Sequence, residues 1–143
     1  MLIKQLSVFL ENKQGKLRAA LQVLADKGVN ISALSLADTS DFGILRLIVD
    51  DPEKAKEVLT ETGVVVLISH VLAIAMDDVP GGMAEILHQL ADAELNIEYM
   101  YACVGRQSGK ALTIMRLDDT KRAEELLSKG KHGQVNPSDI YRL

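Results

Sequence analysis

The sequence has no tryptophan, a single cysteine, three prolines and only 3% aromatic residues. One cysteine, Cys103, cannot close an intramolecular disulfide, so no covalent staple organises the fold. Its place in an apolar run suits a packing role in a reducing interior. Positive charge is also scarce, with 16 Lys and Arg against 20 Asp and Glu and a net charge of −4. No general field is present to gather phosphate backbones or anionic lipid. A long hydrophobic run is missing too: the most apolar stretch, Val64 to Met76, is short for a membrane span and contains Ser69 and His70. At the N-terminus Lys4, Gln5 and Ser7 interrupt the apolar residues too early for a signal-peptide core. These absences predict a cytoplasmic protein that engages neither nucleic acid nor membrane. What is present is a globular balance, 48% hydrophobic and 25% charged, in 143 residues. That length suits one ordinary domain or two very small ones.

An internal repeat decides for two. At an offset of 66, Leu6, Val8 and Leu10 fall on Leu72, Ile74 and Met76. Gly15, Leu17, Leu21 and Leu24 fall on Gly81, Met83, Leu87 and Leu90, and Asn30-Ile31 on Asn96-Ile97. Further on the offset becomes 68, where Asp50-Asp51, Ala55 and Leu59 meet Asp118-Asp119, Ala123 and Leu127. The second copy therefore carries two extra residues in its central hairpin. The expected domains are 1–68 and 69–143.

Each copy reads as βαββαβ. In the first, Leu6, Val8 and Leu10 alternate with Gln5, Ser7 and Phe9, the period of a strand with two distinct faces. After the loop Glu11 to Gly15, the residues Leu17, Ala20, Leu21, Leu24 and Ala25 make one apolar helical stripe, which Gly28 ends as a C-terminal cap. Ile31 to Leu36 and Ile44 to Val49 read as a hairpin pair joined by turn formers. Asp50-Asp51-Pro52 opens a second helix, and Val64 to Ile68 closes the unit as a fourth strand. The fold class is α+β: two ferredoxin-like βαββαβ domains, each an antiparallel sheet with its helices on one face. Helix-facing positions should be Leu6, Val8, Leu10, Leu34, Leu36, Leu45, Leu47 and Val49. The other face would carry Phe9, Ile44 and Ile48 in copy one and Tyr99, Tyr101, Leu112 and Ile114 in copy two. That is too much apolar surface to leave in water, so the sheets should be covered, by each other or by another chain.

With strand, loop Glu11-Asn12-Lys13-Gln14-Gly15-Lys16-Leu17, helix, then Gly28-Val29-Asn30-Ile31, the sequence resembles the ACT domain family of amino-acid-sensing modules. The pattern recurs as Asp77-Asp78-Val79-Pro80-Gly81-Gly82-Met83 and Leu95-Asn96-Ile97, so the resemblance spans nearly the whole chain. It implies a stand-alone, non-enzymatic regulatory protein that binds a free amino acid at an inter-domain or homodimer interface, with an enzyme of amino-acid metabolism as a further partner. It also implies a ligand site where the first loop meets the start of the second strand of a neighbouring domain. In copy one this implicates Asn12, Gln14, Gly15, Lys16 and Leu17 with Asn30 and Ile31; in copy two, Asp78, Pro80, Gly81, Gly82 and Met83 with Asn96 and Ile97.

The chemistry of those residues is suitable on its own terms. A helix start presents unpaired N–H groups and partial positive charge to an α-carboxylate. Gly15 has no Cβ to hold a ligand away from the backbone. The carboxamides of Asn12 and Asn30 can accept from an ammonium and donate to a carboxylate. In copy two Asp78 would repel a carboxylate and Pro80 removes a side-chain amide, so the first loop is the better site.

Blander readings stand beside these. Asn12, Gly15 and Asn30 could simply shape turns and start a helix. Tyr99 and Tyr101 share a strand face but lack the basic surface of a base-stacking platform. Gly105, Gly109 and Lys110 depart from a phosphate loop in spacing and context, and Ala111 stands where a hydroxyl is needed. His70, His88 and His132 have no partner at metal-ligand spacing, so no metal and no cofactor is expected. No nucleophile with base and no paired carboxylates recur at meaningful spacing, so no catalytic residue is assigned. Two alternatives remain at this point: a regulatory subunit that docks on an enzyme without a ligand of its own, and a small enzyme on the ferredoxin-like fold.

Overall fold

The computed structural model describes residues 2–38, 41–103, 110–130, 133–135 and 137–141. In chain order the elements are β1 (Leu2–Glu11), α1 (Lys16–Asp26), β2 (Ile31–Asp38), β3 (Phe42–Val49), α2 (Pro52–Glu61), β4 (Val65–Asp77), α3 (Gly82–Asp92), β5 (Ile97–Ala102), β6 (Lys110–Leu117), α4 (Thr120–Ser128), β7 (Gly133–Gln134) and α5 (Pro137–Tyr141). The chain divides into two compact units, Lys4–Ser69 and His70–Tyr141, the second of which also includes Leu2 and Ile3.

In the N-terminal unit the strand order is β2-β3-β1-β4. The first three strands pair antiparallel, with Leu6 opposite Leu47, Val8 opposite Leu45 and Leu34 opposite Leu47 on its other side. Leu6, Val8, Leu10, Leu45, Leu47 and Val49 project from one sheet face and pack with Ala20 and Leu24 of α1 and Ala55 and Leu59 of α2. Both helices therefore lie on that face, the α+β layering that the alternating strands and striped helices require. In the C-terminal unit the order is β5-β6-β4-β7. Its core repeats the first, with Leu72, Ile74, Met76, Met115 and Leu117 against Ile86 and Leu90 of α3 and Ala123 and Leu127 of α4.

Three expectations need correction. Val64 to Ile68 and Leu72 to Met76 were expected as separate strands, but they belong to one strand, β4, which changes unit between Ser69 and His70. Ser69-His70-Val71 contains no glycine or proline to break an extended backbone. Leu34 and Leu36 do lie on the helix face, opposite Leu47 and Leu45, yet they are 40% and 48% exposed. Their strand is the sheet edge, with a neighbouring strand on one side only. Finally, the strand that ends the second copy is only two residues long, pairing Ile74 and Ala75 with Gln134 and Gly133. On the opposite sheet face Ile48, Leu112 and Ile114 are buried, whereas Phe42, Val65 and Leu67 are more than half exposed.

Candidate functional site

Two kinds of helix start occur in this molecule. At α2 and α4 an aspartate caps the first turn: the carboxylate of Asp51 accepts from the Lys54 N–H at 3.1 Å, and that of Asp119 from the Arg122 N–H at 3.0 Å. At α1 and α3 the capping position is a glycine, which has no side chain to close the end. Gly15 has φ 85° and Gly81 has φ 88°, the left-handed region where a Cβ is strained. Around them two backbone hydrogen bonds repeat. Lys16 and Gly82 donate to the carbonyls of Lys13 and Val79, at 3.2 and 3.1 Å, and Ala19 and Glu85 donate to those of Gly15 and Gly81, both at 3.0 Å. The repeated glycines are thus explained by loop geometry, and that geometry leaves a helix start to meet whatever lies outside it.

The expected site residues fall at two ends of each sheet. Asn12, Gln14, Gly15 and Lys16 are exposed in the loop, with the Asn12 N–H donating to the Asp41 carbonyl at 2.9 Å. Leu17 is half-buried against the core. In the second copy Asp78, Pro80 and Gly81 are exposed, Gly82 is half-buried and Met83 packs on its own core. Asn30 stands far from the loop. Glu11, at the loop end of β1, pairs with Phe42, whereas Ile31 pairs with Val49 at the other end of β3. Those pairs lie seven positions apart along β3, roughly 23 Å at about 3.3 Å per residue. No single unit can bring Asn12 and Asn30 to one ligand.

At the Asn30 end the structure also accounts for the repeated Asp-Asp pairs. The Asn30 N–H donates to the Asp50 carboxylate at 3.0 Å, and the Asp50 N–H returns to the Asn30 carbonyl at 3.1 Å. Asn96 and Asp118 make the same clasp, at 3.1 Å in both directions. The first aspartate of each pair fixes the entrance to β2 or β5; the second caps the following helix. Ile31 and Ile97 pack on the two cores beyond the clasp. Next to Ile31, at an irregularity in the β2–β3 register, Ser32 is buried with its Oγ unsatisfied among the described residues. No sequence signal singled it out, because a serine in a strand is ordinarily a surface residue.

Two hollows flank Lys16 in the N-terminal unit. One, of about 130 Å³, lies between Leu10, Lys16, the α1 residues Ala19, Ala20 and Val23, and Thr62 and Val64. The other, of about 190 Å³, is bounded by Phe9 to Glu11 at the end of β1, Phe42, Lys16 and Gly63 to Val65. Glu11 is ion-paired with Lys13 at 2.9 Å. The hydrogen bond and charge of Lys13, then the charge of Lys16, hold the Glu11 carboxyl below the usual carboxylate range. In copy two the equivalents of Phe9, Lys16 and Phe42 are Ala75, Gly82 and Lys110, and Lys110 is ion-paired to Asp77. A Cβ on Gly82 would stand 2.4 Å from the Asp77 carbonyl oxygen, so the second loop has no room for a side chain there.

The remaining candidates are quiet. Burial pushes the Cys103 thiol up to about 11, which keeps it neutral and poorly nucleophilic at pH 7. His70 and His88 are exposed, and His132, Gly105 and Gly109 lie outside the described residues. Among the described residues no three His, Cys, Asp or Glu side chains gather as a metal site. No helix among them is long and apolar enough to cross a membrane.

The chain matches the family described as ACT domain pair over residues 1–143. It is similar to the crystal structure of protein BT0572 from Bacteroides thetaiotaomicron, with 40% identity and a TM-score of 0.93, covering 100% of this chain and 98% of that one. It shares its fold with the regulatory subunit of aspartate kinase from Thermus thermophilus, at 15% identity and TM-score 0.64, covering 92% and 95%. It also resembles E. coli aspartokinase III in complex with lysine and aspartate, at 17% identity and TM-score 0.51, covering 90% of this chain and 32% of that one. No curated protein matches the sequence. The chain belongs to the ACT domain pair family.

Proposed function

We propose that this chain is a non-enzymatic, cytoplasmic sensor that binds a free amino acid and thereby regulates an enzyme of amino-acid metabolism. The ligand is held between the loop Asn12 to Leu17 of one module and the Asn30-Ile31 entrance of a neighbouring one, within a homodimer or between the copies of one chain. The observation that carries this reading is the contrast among helix starts: α2 and α4 are closed by aspartates, whereas α1 and α3 begin at left-handed glycines with no side-chain cap. A helix start that is left open attracts an α-carboxylate through its N–H groups and dipole. The separation of Asn12 from Asn30 within one sheet supports the requirement for two modules.

The second loop, with Asp78, Pro80, Gly81, Gly82 and Met83 near Asn96 and Ile97 of another module, serves as a variant of the site. Asp78 there disfavours a carboxylate. Exposed Leu34 and Leu36 on the edge strand β2 favour a bound partner surface, either a second copy or the regulated enzyme. Regulation follows if the ligand stabilises only the arrangement of modules that encloses it.

The test is a thermal-shift screen of the protein against the twenty amino acids. A ligand present at about 100 times its Kd stabilises the native state by roughly 2.7 kcal/mol, and the melting temperature should rise accordingly. Asn12→Ala and Asn30→Ala should each remove that rise. Flat melting curves for all twenty at millimolar concentration would defeat the sensing role.

A further inference from the structure

We infer that the hollow of about 190 Å³ beside Lys16 receives the side chain of the bound amino acid, and that the ligand is therefore an apolar α-amino acid, with an aliphatic or aromatic side chain. The inference rests on the sensing role proposed above and names the ligand class for its first loop. Phe9, Phe42, Val64 and Val65 supply the walls. Phe42 is 53% exposed and Val65 is 60% exposed, an apolar surface that gains by being covered. A charged ligand side chain placed against these walls would lose hydration, and could recover it only by competing for Glu11 and Lys16 at the rim, which the α-ammonium and α-carboxylate take up.

Charge complementarity at the rim points to the same occupant. Glu11 and Lys16, opposite in sign, both border the hollow, and a zwitterion presents both signs to them. The Glu11 carboxylate accepts from the α-ammonium, sharing itself with Lys13, while the Lys16 ammonium and the start of α1 face the α-carboxylate. The hydrogen bond and charge of Lys13, then the charge of Lys16, hold the Glu11 carboxyl below the usual carboxylate range. Size sets a further limit. Drug-sized sites occupy roughly 300–1,000 Å³, and this hollow is smaller, which suits a ligand no larger than an amino acid. Copy two has neither the aromatic walls nor the lysine, since Ala75, Lys110 and Gly82 take those places. The aromatic and charged lining of the hollow is thus particular to the first copy.

Isothermal titration of the full chain at neutral pH with L-leucine, L-phenylalanine, L-aspartate, L-lysine and N-acetyl-L-leucine tests this directly. Leucine or phenylalanine should bind at least tenfold more tightly than aspartate or lysine. N-acetyl-leucine, which has no ammonium, should bind at least tenfold more weakly than leucine. Phe42→Ser and Glu11→Gln should each weaken the apolar ligand at least tenfold. Val65→Ser provides the same test should Phe42→Ser fail to fold, which circular dichroism will show. Preferential binding of aspartate or lysine, or leucine affinity unchanged in these variants, overturns the apolar assignment and leaves the sensing role intact. Binding of none of the five, together with a flat screen of all twenty, overturns both.

Discussion

The two copies share a framework and differ at the one end where a ligand could be chosen. Their cores align at most positions, Leu24 with Leu90 and Leu47 with Met115 among them, although Thr113 stands where the first copy has Leu45. Two of their loop hydrogen bonds repeat, and so do their Asn–Asp clasps and aspartate caps. At the loop end, however, copy one carries Phe9, Glu11, Lys16 and Phe42, and copy two carries Ala75, Asp77, Gly82 and Lys110. Residues that hold the fold are therefore separable from residues that could give it selectivity. A repeat preserved in backbone and altered in side chains is how one scaffold can carry two unequal sites.

The largest test of this equivalence is in the cores. Leu24→Ala and Leu90→Ala, both removing a fully buried leucine, should each cost about 2–5 kcal/mol in urea unfolding. A loss in one unit but not the other would break the correspondence. Next comes the loop contrast. Gly82→Ala forces a Cβ against the Asp77 carbonyl and should cost about 1–3 kcal/mol, whereas Lys16→Ala, which keeps a Cβ already present, should leave stability nearly unchanged. Equal effects would mean that the two loops have the same space after all.

The caps should be equivalent. Asp51→Ala and Asp119→Ala are each expected to lower the unfolding midpoint by an amount corresponding to about 1 kcal/mol. A subtler asymmetry lies just past α1 and α3, where Gly28 has φ 70° and Glu94, at the matching position, has φ 56°. Glu94→Gly should stabilise by up to about 1 kcal/mol, because a left-handed residue with a Cβ is penalised, while Gly28→Ala should destabilise by a similar amount.

The smallest effect concerns charge. Copy one pairs Lys4 with Glu53 at 2.6 Å, and the hydrogen bond and charge of Lys4 hold the Glu53 carboxyl below its ordinary value. Copy two places His70 and Lys121 there, which cannot pair. A depressed carboxyl contributes stability above its ordinary pKa and loses it as pH falls through the lowered one. In an NMR titration Lys4→Met should return Glu53 toward the ordinary carboxylate range. No movement would show that the pair has no effect in solution.

Much of this was legible from residues alone. Leu6, Val8 and Leu10 announced their face by alternation, and Gly28 marked the end of a helix, whereas the left-handed backbone at Gly15 came from the structure. The Asp-Asp repeats were visible, but their division of labour was not, since one aspartate bonds a residue twenty positions away. Leu34 was assigned to the correct face and the wrong environment. Periodicity reports which way a side chain points and is silent on whether a neighbour covers it.

The sequence by itself determined the repeat, the order of elements and the positions of the special glycines, because these depend on local backbone preference and on spacing along the chain. Tertiary structure alone decided that β4 runs through both units and that β2 is an edge with exposed leucines. It also decided that Phe9, Lys16, Phe42 and Val65 meet around one hollow. Those four residues come from separate segments, and only sheet pairing and helix packing bring such segments together.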